Sequence, residues 1–206
     1  MEKFTRITAV ACPLPAENID TDQILPARYL KLPRNGGHGK VLFNDLRFDA
    51  AGQEKPDFAL NKTPWRAAKI IVAGRNFGGG SSREAAVYAL FDYGIRCVIA
   101  PSFGDIFSQN AAKNGLLTAV VSEPESGALM AALTREPTLS VSVDLEEKTI
   151  TCGELRHRFA IDVARQIRLL NGWDDIDVTK SFQDQIGAFK AANLKRRPWT
   201  IPNRTI

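Results

Sequence analysis

The run Gly74-Arg75-Asn76-Phe77-Gly78-Gly79-Gly80-Ser81-Ser82-Arg83-Glu84 holds the side chains of this sequence best suited to chemistry. Four glycines in seven residues let a backbone turn tightly and approach a ligand closely. The start of a following helix offers unpaired N–H groups and the positive end of a dipole, which suits an anion. Ser81, Ser82 and Arg83 add two hydroxyls and a planar fork that matches a carboxylate. Together they describe a site for a small di- or tricarboxylate. Two other glycine loops do not fit. A P-loop needs Gly-Lys-Ser/Thr at its end, and Gly80 stands where the lysine belongs. A dinucleotide fingerprint begun at Gly78 puts Arg83 at its third glycine. The plain alternative is a strand-to-helix turn closed by a serine cap, and the Ser-Ser-Arg-Glu continuation argues against it.

Asn76-Phe77-Gly78-x-Gly80-Ser81-Ser82-Arg83-Glu84 resembles the signature of the swivelling domain of the aconitase superfamily. Three more segments match in order: Asn18-Ile19-Asp20-Thr21-Asp22-Gln23-Ile24-Leu25-Pro26 with Arg28-Tyr29-Leu30, Leu42-Phe43-Asn44-Asp45, and Ile99-Ala100-Pro101-Ser102-Phe103-Gly104-Asp105-Ile106-Phe107. Order and spacing are similar to the separate small subunits of the 3-isopropylmalate dehydratase family, over roughly residues 4 to 190.

This resemblance implies a single compact β/β/α swivelling domain over residues 1–206, with a partly parallel central sheet and a mobile N-terminal substrate loop. It implies a hydro-lyase, active only with a large subunit in a heterodimer or heterotetramer, that dehydrates and rehydrates a small dicarboxylic hydroxy acid in leucine biosynthesis. Ser81 would be the base, acting as an alkoxide. Ser82 and Arg83 would hold a substrate carboxylate. Arg28, Tyr29, Leu30 and Lys31 coincide with the substrate-recognition loop; a plain strand exit is their other reading. Asn76, Gly78, Gly80 and Glu84 would support the site. A 4Fe-4S iron–sulfur cluster would supply the Lewis acid from the large subunit, and no metal is expected on this chain.

Three departures bear on the substrate. Arg83-Glu84-Ala85-Ala86 stands where the family usually has Arg-Glu-His-Ala, Gly80 replaces a frequent cysteine, and the loop Pro33 to Gly39 differs from the common bacterial pattern. A related dehydratase for another alkylmalate, such as 2-methylmalate, and a carboxylate-binding paralogue without catalysis therefore stand as alternatives.

The residues themselves limit competing chemistry. A serine hydrolase needs a histidine base, and the chain has only His38 and His157. His157 reads as a surface residue, and so does His38, with a substrate-side role as its alternative. Asp20 and Asp22 read as turn residues that support the site, with acid–base work as the other option. Cys12, Cys97 and Cys152 are far apart and form no Cys-x-x-Cys, so spacing gives no zinc or cluster ligand set. All three read as small buried or half-buried thiols.

The elements that must position these residues become regular from Lys69 onward. Strand 69–73 leads through the glycine loop into helix 83–93, then strand 97–100, helix 104–114, strand 116–121 and helix 125–134, an alternation that predicts crossovers onto a partly parallel sheet. Residues 139–145 alternate apolar and polar as a half-buried strand does, with further strands over 149–151 and 156–161 and a helix from Asp162 to Leu170. A last helix is predicted after Thr179, with Phe182, Ile186 and Phe189 on one face. The first 64 residues read as loop-rich after a strand over 5–11. The net charge of +4 suits an anionic substrate. The basic tail 194–206 reads as solvated and disordered rather than as a nucleic-acid arm. No apolar run approaches the ~20 residues of a membrane span, and the expected setting is cytoplasmic.

Overall fold

A computed structural model describes residues 1–33, 37–80 and 83–200. Among these, seven strands form one sheet in the order β4-β3-β2-β1-β5-β6-β7. The strands are β1 (Arg6–Leu14), β2 (Ile70–Ala73), β3 (Cys97–Ala100), β4 (Leu117–Val120), β5 (Ser140–Asp144), β6 (Thr149–Cys152) and β7 (Leu155–Arg158). β1 joins the two halves of the sheet. Its first part, Arg6 to Val10, pairs antiparallel with β5, and its second part, Ala11 to Leu14, runs parallel to β2. The sequence pattern ends this strand at Ala11. The structure carries it on through Pro13, because the partner changes there and the new parallel register Pro13↔Val72 extends it.

β1 to β4 are parallel in their shared part and are buried on both faces, as their unbroken apolar runs require. The period of two divides them cleanly. Ile71, Ala73, Val98 and Ala100 face one core, while Ile70, Val72, Cys97 and Ile99 face the other. Helix α3 (Glu84–Tyr93) and helix α4 (Asp105–Lys113) cover the first core together with the N-terminal segments. Helix α5 (Glu123–Arg135) and helix α6 (Val163–Asn171) contribute Leu129, Leu133 and Leu169 to the second. A capping box fixes the start of α5: the Ser122 hydroxyl accepts from the Glu125 N–H, and the Glu125 carboxylate accepts from the Ser122 N–H.

The N-terminal segment is mostly turns, as its composition suggests. Within it lie two single-turn helices, α1 (Thr21–Ile24) and α2 (Asn44–Arg47). The C-terminal end differs from expectation. The predicted last helix is two helices, α7 (Asp175–Lys180), capped by Asp174, and α8 (Gln183–Arg196). Phe182 and Phe189 stay exposed, and no residue of α8 is buried. Their helical spacing is real, but among the described residues nothing buries that face. Among the described residues no helix is long and apolar enough to cross a membrane.

Candidate active site

The three parallel strands β1, β2 and β3 end at Leu14, Ala73 and Ala100. Three of the four sequence motifs follow directly from those ends, where open parallel sheets place their ligands. They are bound to one another by backbone. The Gly78 N–H donates to the Ile19 carbonyl at 2.7 Å, and the Thr21 N–H donates to the Gly79 carbonyl at 3.1 Å, so Asp20 and Gly79 pair as in a short parallel bridge. The Phe77 N–H donates to the Ser102 carbonyl at 3.1 Å, and the Gly104 N–H donates to the Phe77 carbonyl at 3.0 Å. The Asn76 N–H meets the Ser102 hydroxyl at 2.8 Å, and the Asn76 side-chain amide donates to Asn18 at 2.9 Å.

Glycine is required here for two reasons. Gly78 has φ +71°, and a Cβ on it would lie 2.3 Å from the Phe107 ring of α4. Gly104 would place its Cβ 2.4 Å from the Gly78 carbonyl oxygen. The loop therefore sits directly on the start of α4, with the rings of Phe77, Phe103 and Phe107 clustered around it.

Arg83 is the residue before α3, and its guanidinium donates to the Asp22 carboxylate in α1. The Arg83 side chain is 22% exposed and that of Asp22 is 52% exposed, so the pair lines the surface of the site. Asp20 caps α1 by accepting the Gln23 N–H at 2.7 Å. The structure thus makes Asp20 a turn-builder, as its residue type suggests, and makes Asp22 the partner of the candidate clamp. Glu84 turns toward α4, where its carboxylate accepts from the Asn114 amide at 2.8 Å. Gly80 has φ +84°. Ser81 and Ser82, the expected base and its neighbour, lie outside the described residues, as do positions 34–36 of the expected substrate loop.

The fourth motif joins from the other side of α1. The Phe43 N–H donates to the Ile24 carbonyl at 2.8 Å, and buried Leu42 and Phe43 anchor the segment in the core. Arg28 and Tyr29, on a single 3-10 turn, meet this segment. The Arg28 guanidinium forks onto the Asp45 carboxylate, with one bond of 3.0 Å, and donates to the Asn44 side-chain oxygen at 3.0 Å. The Tyr29 hydroxyl donates to the same oxygen at 3.1 Å. The bonds with Asp45 push the Arg28 pKa up, and the guanidinium holds the Asp45 carboxyl below its ordinary range. Leu30 and Lys31 are exposed.

His38 requires a correction. It is 3% exposed rather than on the surface, and it packs on α3 between Tyr88, at 6.2 Å between ring centroids, and Asp92, at 4.0 Å. Neither ring nitrogen has a hydrogen-bond partner among the described residues. The cause is the next residue: a Cβ on Gly39 would lie 2.5 Å from the Tyr93 backbone nitrogen, so only glycine lets this turn rest on the helix backbone. His157 is also less exposed than expected, at 16% of its side chain, with Nδ1 3.4 Å from Glu125.

The cysteines do not fit a metal cluster. Cys12, Cys97 and Cys152 are all buried, on β1, β3 and β6. Burial pushes the Cys12 thiol up to about 12 and raises the other two as well, whereas a ligand must be a thiolate. Among the described residues no group of three His, Cys, Asp or Glu could hold a metal ion.

Comparison with known proteins places the chain in a family. Residues 1–124 match the family model described as the aconitase C-terminal domain, and that match gives the class: an aconitase-type domain. Residues 128–162 match a second model, LeuD_N. The chain is 49% identical over 202 residues to the 3-isopropylmalate dehydratase small subunit of Rhodospirillum centenum, covering 98% of this chain and 100% of that one. It is 47% identical to the protein of that name from Dinoroseobacter shibae, over 97% and 100% of the two chains. A crystal structure of 3-isopropylmalate dehydratase from Methanocaldococcus jannaschii superposes with a TM-score of 0.60 at 26% identity, covering 90% of this chain and 99% of that one. The chain belongs to the family of 3-isopropylmalate dehydratase small subunits.

Proposed function

We propose that this chain is the small subunit of a heteromeric hydro-lyase that interconverts 2-isopropylmalate and 3-isopropylmalate by dehydration and rehydration, a step of leucine biosynthesis. The observation that carries the reading is the junction of the glycine loop, α1 and Arg83 at the ends of β1 and β2, in a chain alike along its whole length to curated small subunits.

The reaction must take a proton from a carbon beside a carboxylate. Ser81 is the base in this reading, accepting that proton as an alkoxide. A free serine is a very weak base, so its site has to favour the anion; the start of α3 and the Arg83 guanidinium provide positive charge beside it. Ser82 and Arg83 hold a substrate carboxylate. A guanidinium carries five N–H donors, and one bond to Asp22 does not exhaust them. Arg28, Tyr29, Leu30 and Lys31 recognise the rest of the acid, with Leu30 facing its alkyl group. The iron–sulfur cluster and its Lewis-acid chemistry belong to a large subunit, with which this chain forms a heterodimer or heterotetramer in the cytoplasm.

The test is to purify the chain with an iron–sulfur large subunit of the family and assay a panel of alkylmalates, native against Ser81→Ala. The reading expects isopropylmalate turnover that Ser81→Ala abolishes. An inactive native pair, or a variant of native activity, overturns it. Preference for 2-methylmalate would reassign the substrate, because one methylene in an apolar pocket changes discrimination by only ~1–3 kcal/mol.

A further inference from the structure

The Leu42-Phe43-Asn44-Asp45 segment has no role in the chemistry above, yet it is built to hold two recognition residues. Phe43 is wholly buried and has φ +51°, in the left-handed region that a non-glycine residue rarely adopts. That backbone is held by the Phe43 N–H on the Ile24 carbonyl at 2.8 Å, and it starts α2 immediately afterwards. Asn44 is therefore placed by the core, not by its own contacts. From this fixed point its side-chain oxygen accepts two bonds, from Arg28 Nη2 at 3.0 Å and from the Tyr29 hydroxyl at 3.1 Å. An amide oxygen has two lone pairs, so both are in use. The Arg28 guanidinium also lies over the Tyr29 ring, 4.6 Å from its centroid. Asp45, whose backbone carbonyl accepts from Lys55 at 2.9 Å, presents its carboxylate to the same guanidinium. Arg28, Tyr29, Asn44, Asp45 and Lys55 line one open groove of about 570 Å³ that also includes Lys40.

Resting on the functional reading above, we propose that Asn44 is a positioning residue for substrate recognition. It fixes Arg28 and Tyr29 in the orientation that meets an anionic substrate, while the Asp45 carboxylate occupies the guanidinium until a substrate carboxylate replaces it. An exposed arginine held by a single ion pair swings freely and is worth little. The second acceptor and the shared oxygen set the plane of the fork, and bidentate recognition of a carboxylate depends on that plane.

The experiment is steady-state kinetics of the reconstituted pair with 3-isopropylmalate, comparing Asn44→Leu, Asn44→Ser, Asn44→Asp, Arg28→Ala and the double variant Arg28→Ala with Asn44→Leu. Leucine keeps the size and removes the acceptor; serine is too short to reach; aspartate keeps an acceptor at the same place. Asn44→Leu and Asn44→Ser are expected to raise KM about tenfold with kcat within twofold, and Asn44→Asp to return KM to within threefold of native. The double variant is expected to lose clearly less than the two single variants combined, since Asn44 acts through Arg28 and, for the remainder, through Tyr29. Asn44→Ser stands in if Asn44→Leu does not fold. An active native pair whose KM ignores both Asn44→Leu and Asn44→Ser, or additive effects in the double variant, overturns the proposal alone. An inactive native pair overturns the functional reading and this proposal with it.

Discussion

Arg83 and Asp22 stand 61 residues apart in sequence and share a hydrogen bond between their side chains. The bond ties α1 to the residue that precedes α3, and the Thr21 N–H ties the same α1 to the Gly79 carbonyl of the glycine loop. Arg83 is therefore held against α1, the same element that holds the glycine loop, at the candidate site. Its partner is a carboxylate, the same group the substrate would offer.

That pairing makes Arg83→Lys informative. Lysine keeps the charge but presents a point rather than a fork. The loss of a charge-assisted bond to substrate is expected to cost about 2 kcal/mol, a roughly thirty-fold fall in kcat/KM of the reconstituted pair. Folding should hardly change, because a pair this exposed contributes at most about 1 kcal/mol. Kinetics together with a thermal melt check both halves. A native kcat/KM in the variant would remove Arg83 from the site.

Gly78 and Gly52 offer a controlled comparison. Both have positive φ, +71° and +77°, but a Cβ on Gly78 meets Phe107 at 2.3 Å whereas one on Gly52 meets nothing within 4 Å. Gly52→Ala should cost only the left-handed strain, about 1 kcal/mol. Gly78→Ala adds a forced displacement of α4 and should cost about 3 kcal/mol in all. Urea unfolding of the two variants gives the difference. Equal losses would mean that the loop moves away from α4 at no cost.

These residues also show what a sequence can convey. β2, β3 and β4 are legible because strands buried on both faces are continuous apolar runs, and the end of α3 is legible because Gly94 takes φ +115°. The glycine loop and Arg83 suggest a candidate carboxylate site from sequence alone because backbone freedom and a guanidinium are local properties. The Arg83–Asp22 bond, the junction of Asp20 with Gly79 and the clamp of Asn44 on Arg28 are contacts between distant segments, and no local pattern encodes them. His38 misleads for a related reason. Its neighbours are polar and glycine-rich, as on a surface, but Gly39 is there so that the turn can press against α3. The face of Phe182 and Phe189 misleads in the opposite sense: helical spacing is visible in the sequence, burial is not.

The three thiols should behave as core residues. With Cys12 raised to about 12 and Cys97 and Cys152 shifted the same way by burial, the thiolate form of all three is disfavoured at pH 8, roughly the range in which a free cysteine is half ionised. The native chain is expected to resist an aromatic disulfide reagent at that pH and to release three equivalents once unfolded in guanidinium chloride, matching the three cysteines. Release of one equivalent at the rate of free cysteine would expose a reactive thiol, one able to serve as a metal ligand.

Asp144 gives the fold a dependence on pH. It closes β5, accepts the Glu147 N–H at 2.9 Å in the turn to β6, and pairs with Arg6 of β1, its register partner. The Glu147 bond first, and then Arg6, hold its carboxyl below the usual range. A carboxyl whose folded pKa lies below its unfolded value stabilises the fold above the unfolded pKa, and that contribution disappears as the pH falls through the folded pKa. The unfolded value is about 3.9. Asp144→Asn keeps an acceptor for Glu147 and loses the charge, and because Arg6 is 67% exposed the cost at neutral pH should be about 1 kcal/mol rather than the larger value of a buried pair. Urea unfolding at a series of pH values should show the full gap between native and variant above about pH 5, a narrowing gap below about 4 and none by about 2. A gap independent of pH would assign the loss to packing at the turn, not to the ionised carboxylate.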